Sequence, residues 1–180
     1  MLFDRIYDHV DYRGAVELLL PTLRQHAPDA RRLLDVACGS GRHLEYLAES
    51  FDVEGLDLDE ALLAMAATRV DNSRFHHGDM RSFNLGATFD VITCLHYSIA
   101  YVETVEGLVA AFEHFARHLN PGGIAAIEPW VDESRLYEPR PVTNAIDLDS
   151  DSPLIRMYTP RRVGAVVVHD VHLLLSLIHI

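Results

Sequence analysis

The stretch Leu33–Leu44, LLDVACGSGRHL, constrains this chain more than any other. Two leucines lead to an acid, Asp35, then to a bend carrying Gly39 and Gly41, then to residues that favour helix. A buried strand entering a glycine bend that opens a helix fits this order. The glycines admit backbone conformations closed to other residues, so the chain can approach a ligand closely. The first turn of the helix leaves N–H groups free to meet that ligand.

The spacing argues against a dinucleotide. That fingerprint needs a third glycine three residues after the second, and Leu44 stands there. Asp35 would also bring a carboxylate towards a diphosphate, where like charges repel. The same acid suits a ligand that carries an ammonium and no phosphate. S-adenosylmethionine is such a ligand, with an amino-acid end and a ribose diol.

The following segments agree. FDVEGLDLDE, from Phe51 to Glu60, alternates apolar residues up to Asp57, eighteen residues after Gly39. That offset is close to the one at which a second-strand acid grips ribose hydroxyls. A carboxylate accepts hydrogen bonds from a cis-diol and repels a 2′-phosphate. RFHHGDM, Arg74–Met80, then reads as a short strand, a glycine, and Asp79 placed for an adenine amino group.

Strands and helices alternate along Arg32–Glu128, which predicts a parallel sheet covered on both faces. Strands are expected at Arg32–Ala37, Val53–Asp57, Phe75–His77, Phe89–Leu95 and Ile124–Glu128. Helices are expected at Gly14–His26, Gly41–Ser50, Glu60–Val70 and Glu103–Leu119, with Asp59 as an N-cap. Pro21 should kink or split the first of these helices. Asn120-Pro121-Gly122-Gly123 reads as a stop signal. Val131–Pro153 is acidic and lacks a period, so it reads as loop. Arg156–Thr159 and Ala165–Leu175 are strand-like, joined through Pro160–Gly164 as a hairpin.

The fold class is therefore α/β, a Rossmann-like doubly wound, mostly parallel sheet of five core strands plus a C-terminal antiparallel hairpin. Two parts are expected. Residues 1–130 form a cofactor-binding domain with an N-terminal helical lid, and residues 131–180 form a substrate-covering segment.

A net charge of −12 argues against nucleic acid as a partner, because phosphate contacts need a basic surface. Two cysteines make no disulfide framework, which points to a reducing cytoplasm. There is no apolar run long enough for a membrane span and no signal peptide. Eleven histidines invite a metal reading, yet His76 and His77 point to opposite faces of a strand, and His114 with His118 lack a third ligand. No metal is expected.

LLDVACGSG, VEGLDLD, HHGDM, FDVITCLHYSIAYV and LNPGGIAAIEPW together resemble the class I S-adenosylmethionine-dependent methyltransferases. The closer resemblance is to the N,N-dimethyltransferases of nucleotide-linked amino sugars in macrolide pathways, through DVACG, HHGDMR, SIAYV and EPW. The resemblance implies a transferase that methylates a small molecule, with a nucleotide-linked amino sugar as acceptor and a homodimer as a possible assembly. Alternatives from other classes are an O- or C-methyltransferase of another metabolite, or a non-catalytic cofactor-binding fragment. Against that family the last strands are expected to be missing after Val171-His172, and weak or absent turnover is expected of this chain.

The resemblance also assigns residues. Tyr7 and Tyr12 match tyrosines of an N-terminal lid that touches the cofactor. Asp35, Ala37, Gly39 and Gly41 would surround its amino-acid end. Asp57 and Leu58 would hold the ribose and its surroundings, Asp79 and Met80 the adenine, and Leu95 the cofactor backbone. Met80 serves equally well as core filling. Tyr101, in SIAYV, falls where relatives place a His or Tyr near the acceptor amine and is the catalytic candidate. His96, Glu128 and Trp130 are candidates for the acceptor pocket; relatives carry an aromatic ring at the position of His96.

Overall fold

The chain was analysed as a computed structural model that describes residues 2–129, 141–146, 154–163 and 166–175. It divides into two compact units. One is Asp11–Trp130; the other joins Met1–Val10 to Val131–Ile180. The first ten residues thus group with the C-terminal segment, where the sequence suggested a domain running from residue 1 to 130.

The larger unit starts with α2, Tyr12–His26, after α1, Leu2–Ile6, of the other unit. Asp11 caps α2 by accepting from the Gly14 amide at 2.9 Å. Val16 and Leu23 face inward, as the helical spacing requires. Pro21 does not split this helix. It lies on the exposed side, where water can satisfy the carbonyl that its missing N–H leaves free.

Five strands follow: β1 Arg32–Val36, β2 Asp52–Asp57, β3 Arg74–His77, β4 Phe89–Cys94 and β5 Leu119–Ile127. Between them lie α3 Arg42–Leu47, α4 Glu60–Arg69, a 3-10 turn at Ser98–Val102, and α5 Val105–Arg117. The sheet order is β3-β2-β1-β4-β5, and every pairing is parallel.

Period two sorts the side chains onto two cores. Leu33, Val53 and Val91 pack with Val16, Leu23, Leu44, Leu47 and Leu63 on the face of α2, α3 and α4. Leu34, Leu56 and Ile92, joined by Phe89 from before a register shift in β4, pack with Ala111 and Phe115 of α5 on the other face. Strands buried on both faces are apolar almost throughout, which is why FDVITC reads as it does.

Two of the shifted boundaries have a local cause. The long helix starts at Val105, capped by Thr104 Oγ1 accepting from the Gly107 amide at 3.0 Å. Pairing of β5 begins at Leu119 opposite Phe89, breaks, and resumes at Ile124 opposite Val91. Asn120–Gly123 therefore bulges within β5 rather than preceding it; Pro121 has no amide to donate, and Gly122 takes φ +83°.

The smaller unit contains α1 and an antiparallel sheet of β6 Val142–Ile146, β7 Leu154–Val163 and β8 Val166–Leu175, in that order. The strand β6 lies in the stretch that the sequence suggested was loop. Its five residues carry too little alternation to announce a strand, and its pairing with Leu154–Tyr158 makes it one. The hairpin closes on Val163 opposite Val166, so β7 runs through Pro160–Val163, residues that looked like the turn. Arg156 lays its guanidinium over the rings of Tyr7 and Tyr158, at 5.5 and 4.9 Å.

Candidate active site

The strand order reverses at β1 and β4. From β1 the chain winds outward to β2 and β3, then crosses back to β4 and on to β5. Open parallel sheets bind ligands at the carboxyl ends of the strands flanking such a reversal. The sequence candidates from Asp35 to Glu128 lie on segments at this edge. A separate polar concavity of about 670 Å³, lined by Arg24, Asp29, Arg31, Ser50 and Asp52, opens at the opposite ends of the strands and holds none of them.

On the β1 side, the backbone turns sharply after Val36. Ala37, Gly39 and Gly41 all take positive φ, at 60°, 56° and 79°. The Cys38 amide donates to the Leu56 carbonyl at 3.0 Å, which ties the bend to β2. Gly41 caps α3, and a Cβ there would stand 3.0 Å from that of Ala66. In a dinucleotide fold the third glycine lets helix and strand approach. Here Gly55 of β2 performs that service: a Cβ on it would meet Cys38 Sγ at 2.7 Å and Leu44 Cδ1 at 3.0 Å. Leu44 is fully buried above it.

Asp57 ends β2. Its Oδ2 accepts from the Gly39 amide at 2.7 Å, and its Oδ1 from the Asp59 amide at 2.9 Å. The cap of α4 is Asp59, whose Oδ1 accepts from the Ala61 and Leu62 amides. Asp57 is thus not the cap of α4. It closes the glycine bend with one bond per oxygen, and each oxygen keeps acceptor capacity for a further donor. The Gly39 amide, which a diphosphate would need, is already taken by a carboxylate. Leu58 follows with 64% of its surface exposed.

Asp35 is buried, and Thr93 Oγ1 of β4 donates to its Oδ1 at 2.6 Å. Burial pushes its carboxyl up to about 7, against the Thr93 bond and helped by the charge of Asp57. Asp35 thus sits beneath the bend with a Thr93 partner that the sequence did not reveal. The Asp57 carboxylate, with the partly ionised Asp35 beneath it, gives the bend a negative field, which favours a cationic ligand over a phosphate. Cys38 and Cys94 are buried, and burial pushes both thiols up, that of Cys94 to about 12. Neither is a thiolate at neutral pH.

Asp79 meets Arg81 side on. Nε lies 3.0 and 3.1 Å from its two oxygens, Nη2 lies 2.6 Å from Oδ2, and the Arg81 amide donates to Oδ1 at 2.8 Å. The bonds from Arg81 hold this carboxyl below its usual range. An adenine amino group would share Asp79 with Arg81, a partner two residues on that the sequence reading left out. Met80 is half-buried and packs against the core with Phe83 and Phe89.

On the β4 side, Leu95 is half-buried, and His96 and Tyr97 both take positive φ, at 52° and 60°. The His96 amide donates to Glu128 Oε2 at 2.7 Å, and the Glu128 amide donates to the Cys94 carbonyl at 2.9 Å. Glu128 thus holds the turn that presents His96. Tyr101 lies on the 3-10 turn with 78% of its surface exposed. Trp130 lies outside the described residues.

Tyr12 and Tyr7 part company. Tyr12 is buried at the start of α2, its ring 4.8 Å from that of His43 and 6.2 Å from that of His96. Tyr7 belongs to the smaller unit, with its ring 4.9 Å from that of Phe3. His43 was missed in the sequence, where it looked like one more residue of the helix. It is buried, and burial together with His96 pushes it down to about 4.

Three further histidines are engaged structurally. His76 Nε2 lies 2.7 Å from Glu54 Oε2. His118 takes the Leu85 amide on Nε2 and reaches the His114 carbonyl with Nδ1; His114 Nδ1 reaches the Phe83 carbonyl. Among the described residues, no three His, Cys, Asp or Glu side chains gather as a metal site, and no helix is long and apolar enough to cross a membrane.

Residues 33–123 match the family described as a methyltransferase domain. The chain belongs to that family. This methyltransferase domain is 46% identical over 121 residues to a dTDP-3-amino-3,6-dideoxy-alpha-D-glucopyranose N,N-dimethyltransferase of Streptomyces fradiae, covering 67% of this chain and 48% of that one. It is 45% identical over 132 residues to a dTDP-4-amino-2,3,4,6-tetradeoxy-D-glucose N,N-dimethyltransferase of Saccharopolyspora spinosa, covering 69% and 53%. The chain spans about half the length of these curated relatives. A solved sugar N-methyltransferase from Streptoalloteichus sp ATCC 53650 superposes with TM-score 0.90 at 34% identity, covering 97% of this chain and 70% of that one. The Rossmann-like fold expected from the sequence is the fold of this domain.

Proposed function

We propose that this methyltransferase domain binds S-adenosylmethionine at the carboxyl edge of β1 and β2 and serves N-methylation of an amino sugar carried on a nucleotide. One observation carries the cofactor reading: the Asp57 carboxylate bonds the Gly39 amide at 2.7 Å. That bond occupies the glycine loop with a negative group and leaves lone pairs at the tip of the second strand for a ribose diol. The buried Asp35, its carboxyl pushed up to about 7, adds part of a negative charge at neutral pH. The residues present therefore fit a cationic nucleoside and disfavour a dinucleotide.

Asp57 would hold the ribose. The backbone of Ala37 to Gly41 would meet the amino-acid end, and Asp79 would meet the adenine. Leu58 offers an apolar surface that a base can cover. The cofactor, when bound, supplies a methyl group on a sulfonium. The protein's share is alignment and exclusion of water, which together are worth up to roughly 7–11 kcal/mol in well-ordered cases.

The acceptor reading comes from the relatives, whose names specify dTDP-linked amino sugars. Tyr101, exposed beside the β4 edge, is assigned to orienting the sugar; His96 and Glu128 form the wall beside it.

Calorimetric titration tests the cofactor reading. S-adenosylhomocysteine is expected to bind and NAD is not; tighter binding of NAD overturns it. Transfer of a labelled methyl group to a dTDP-amino sugar tests the acceptor, and transfer only to hydroxyl or carbon acceptors overturns the amine.

A further inference from the structure

Arg156 and Tyr158 stand two residues apart on β7 and so share one face of the antiparallel sheet. Tyr7, just past α1 in the same unit, brings a second ring to the guanidinium. Its carbon lies 4.9 Å from the ring centre of Tyr158 and 5.5 Å from that of Tyr7, both within cation–π reach. Contact with a ring face uses none of the in-plane N–H donors of an arginine. Arg156 Nε is shut off from solvent, and no acceptor among the described residues reaches it. Among the described residues, no carboxylate pairs with this side chain either.

Other arginines are treated differently. Arg32, Arg69, Arg81, Arg117 and Arg161 each meet a carboxylate within 3.6 Å. Arg161, on the same strand as Arg156, takes Asp170. Counter-ions are plentiful, since Asp and Glu number 27 against 15 Lys and Arg. Buried donors are normally paired. A partly desolvated guanidinium facing rings instead of a carboxylate is in the state that an incoming anion relieves.

We propose that Arg156, held between Tyr7 and Tyr158, binds the diphosphate of a nucleoside diphosphate, the charged part of the acceptor, and so selects acceptors that carry one.

This inference rests on the nucleotide-linked reading of the acceptor. A guanidinium fork matches phosphate oxygens in pairs. A diphosphate is multiply charged, and a chain of net charge −12 repels it unless a cation stands at the binding point. The carboxyl edge of β1 and β2 offers it little: Asp57 bonds the glycine bend, and Arg81 is taken by Asp79. The two tyrosine rings lower the dielectric around Arg156, which strengthens its pull on an anion. A guanidinium that only fastened Tyr7 to β7 would need no ligand, and its loss would lower the melting temperature without touching nucleotide affinity.

Thymidine diphosphate is titrated by calorimetry into the full chain, Arg156→Gln and Arg156→Lys. Wild type is expected to bind it, more weakly as salt is added. Arg156→Gln should lose about 10–100-fold in affinity, the range for hydrogen bonds to charged groups. Arg156→Lys keeps the charge without the fork and should recover part of that loss. Thymidine, which lacks phosphates, should not distinguish the variants from wild type. With a dTDP-amino sugar as acceptor, Arg156→Gln should raise KM and keep kcat, while affinity for S-adenosylhomocysteine stays that of wild type.

A second readout needs no variant. The Arg156 Nε–H signal of wild type is followed by NMR, and thymidine diphosphate, but not thymidine, should shift it. Where wild type methylates the dTDP-amino sugar, an unmoved signal, or equal thymidine diphosphate affinity in wild type and Arg156→Gln, overturns the inference alone. Where wild type methylates only acceptors without a diphosphate, the acceptor reading fails and the inference fails with it.

Discussion

The two sides of the β1/β4 crevice are built by different means. On the β1–β2 side, glycines supply two of the three positive-φ residues, and a carboxylate closes the bend by bonding its amide. On the β4–β5 side, His96, Tyr97 and Glu103 take positive φ without a glycine among them, and a carboxylate from the next strand holds the turn. The first side is relaxed and shaped for one ligand. The second stores strain in the turn where we propose that the acceptor sits. On that proposal, a fixed cradle serves the cofactor and side chains meet the acceptor.

The largest test of this contrast is Asp35, the buried acid of the first side. Its folded value of about 7 stands above the ordinary 3.8, so the folded state holds the proton more tightly than the unfolded state. Stability therefore falls as pH rises from about 4 to about 7, by up to about 4 kcal/mol in all. Asp35→Asn should flatten that dependence. Urea unfolding at pH 5 and pH 8 reads it, and an equal slope in variant and wild type would place the titrating group elsewhere.

Next comes Asp57. Asp57→Ala removes the acceptor of the Gly39 amide and strands ribose hydroxyls, at roughly 1–3 kcal/mol of S-adenosylhomocysteine affinity. Unchanged affinity by calorimetry removes Asp57 from the site.

Gly41→Ala should cost about 1–2 kcal/mol of stability, because alanine pays for the left-handed conformation and presses on Ala66. A melting temperature equal to that of wild type would show that the bend is not held at φ +79°.

The smallest effect is on the second side. Tyr101→Phe should change stability by less than about 0.5 kcal/mol, since 78% of the residue's surface is exposed. Cofactor affinity should not move either; a several-fold loss would bring Tyr101 across to the cofactor side of the crevice.

The same contrast explains what was legible in the sequence. The parallel sheet announced itself because strands such as FDVITC are buried on both faces and leave an unmistakable apolar run. The place of Asp57 at the tip of the second strand was legible because it follows from spacing along the chain. Thr93 was not, since its bond to Asp35 arises from strand register between residues 58 apart. His43 looked like any helical residue until α2 brought Tyr12 against it. The turn at His96 carries no glycine to betray its backbone, and β6 becomes a strand only by pairing with β7. Local chemistry can be read from neighbours in the chain; partnerships across it need the fold.

Residues 78–88 join β3 at one margin of the sheet to β4 near its middle with no helix between. This strap begins with Gly78 and Asp79, and Phe83 within it stacks on the His118 ring at 4.3 Å while Leu85 donates to the same imidazole. Anything that pulls on Asp79 therefore tugs at the far end of α5, the helix that begins just after the 3-10 turn of Tyr101. Two imidazoles, His114 and His118, moor this strap to the last turn of the helix.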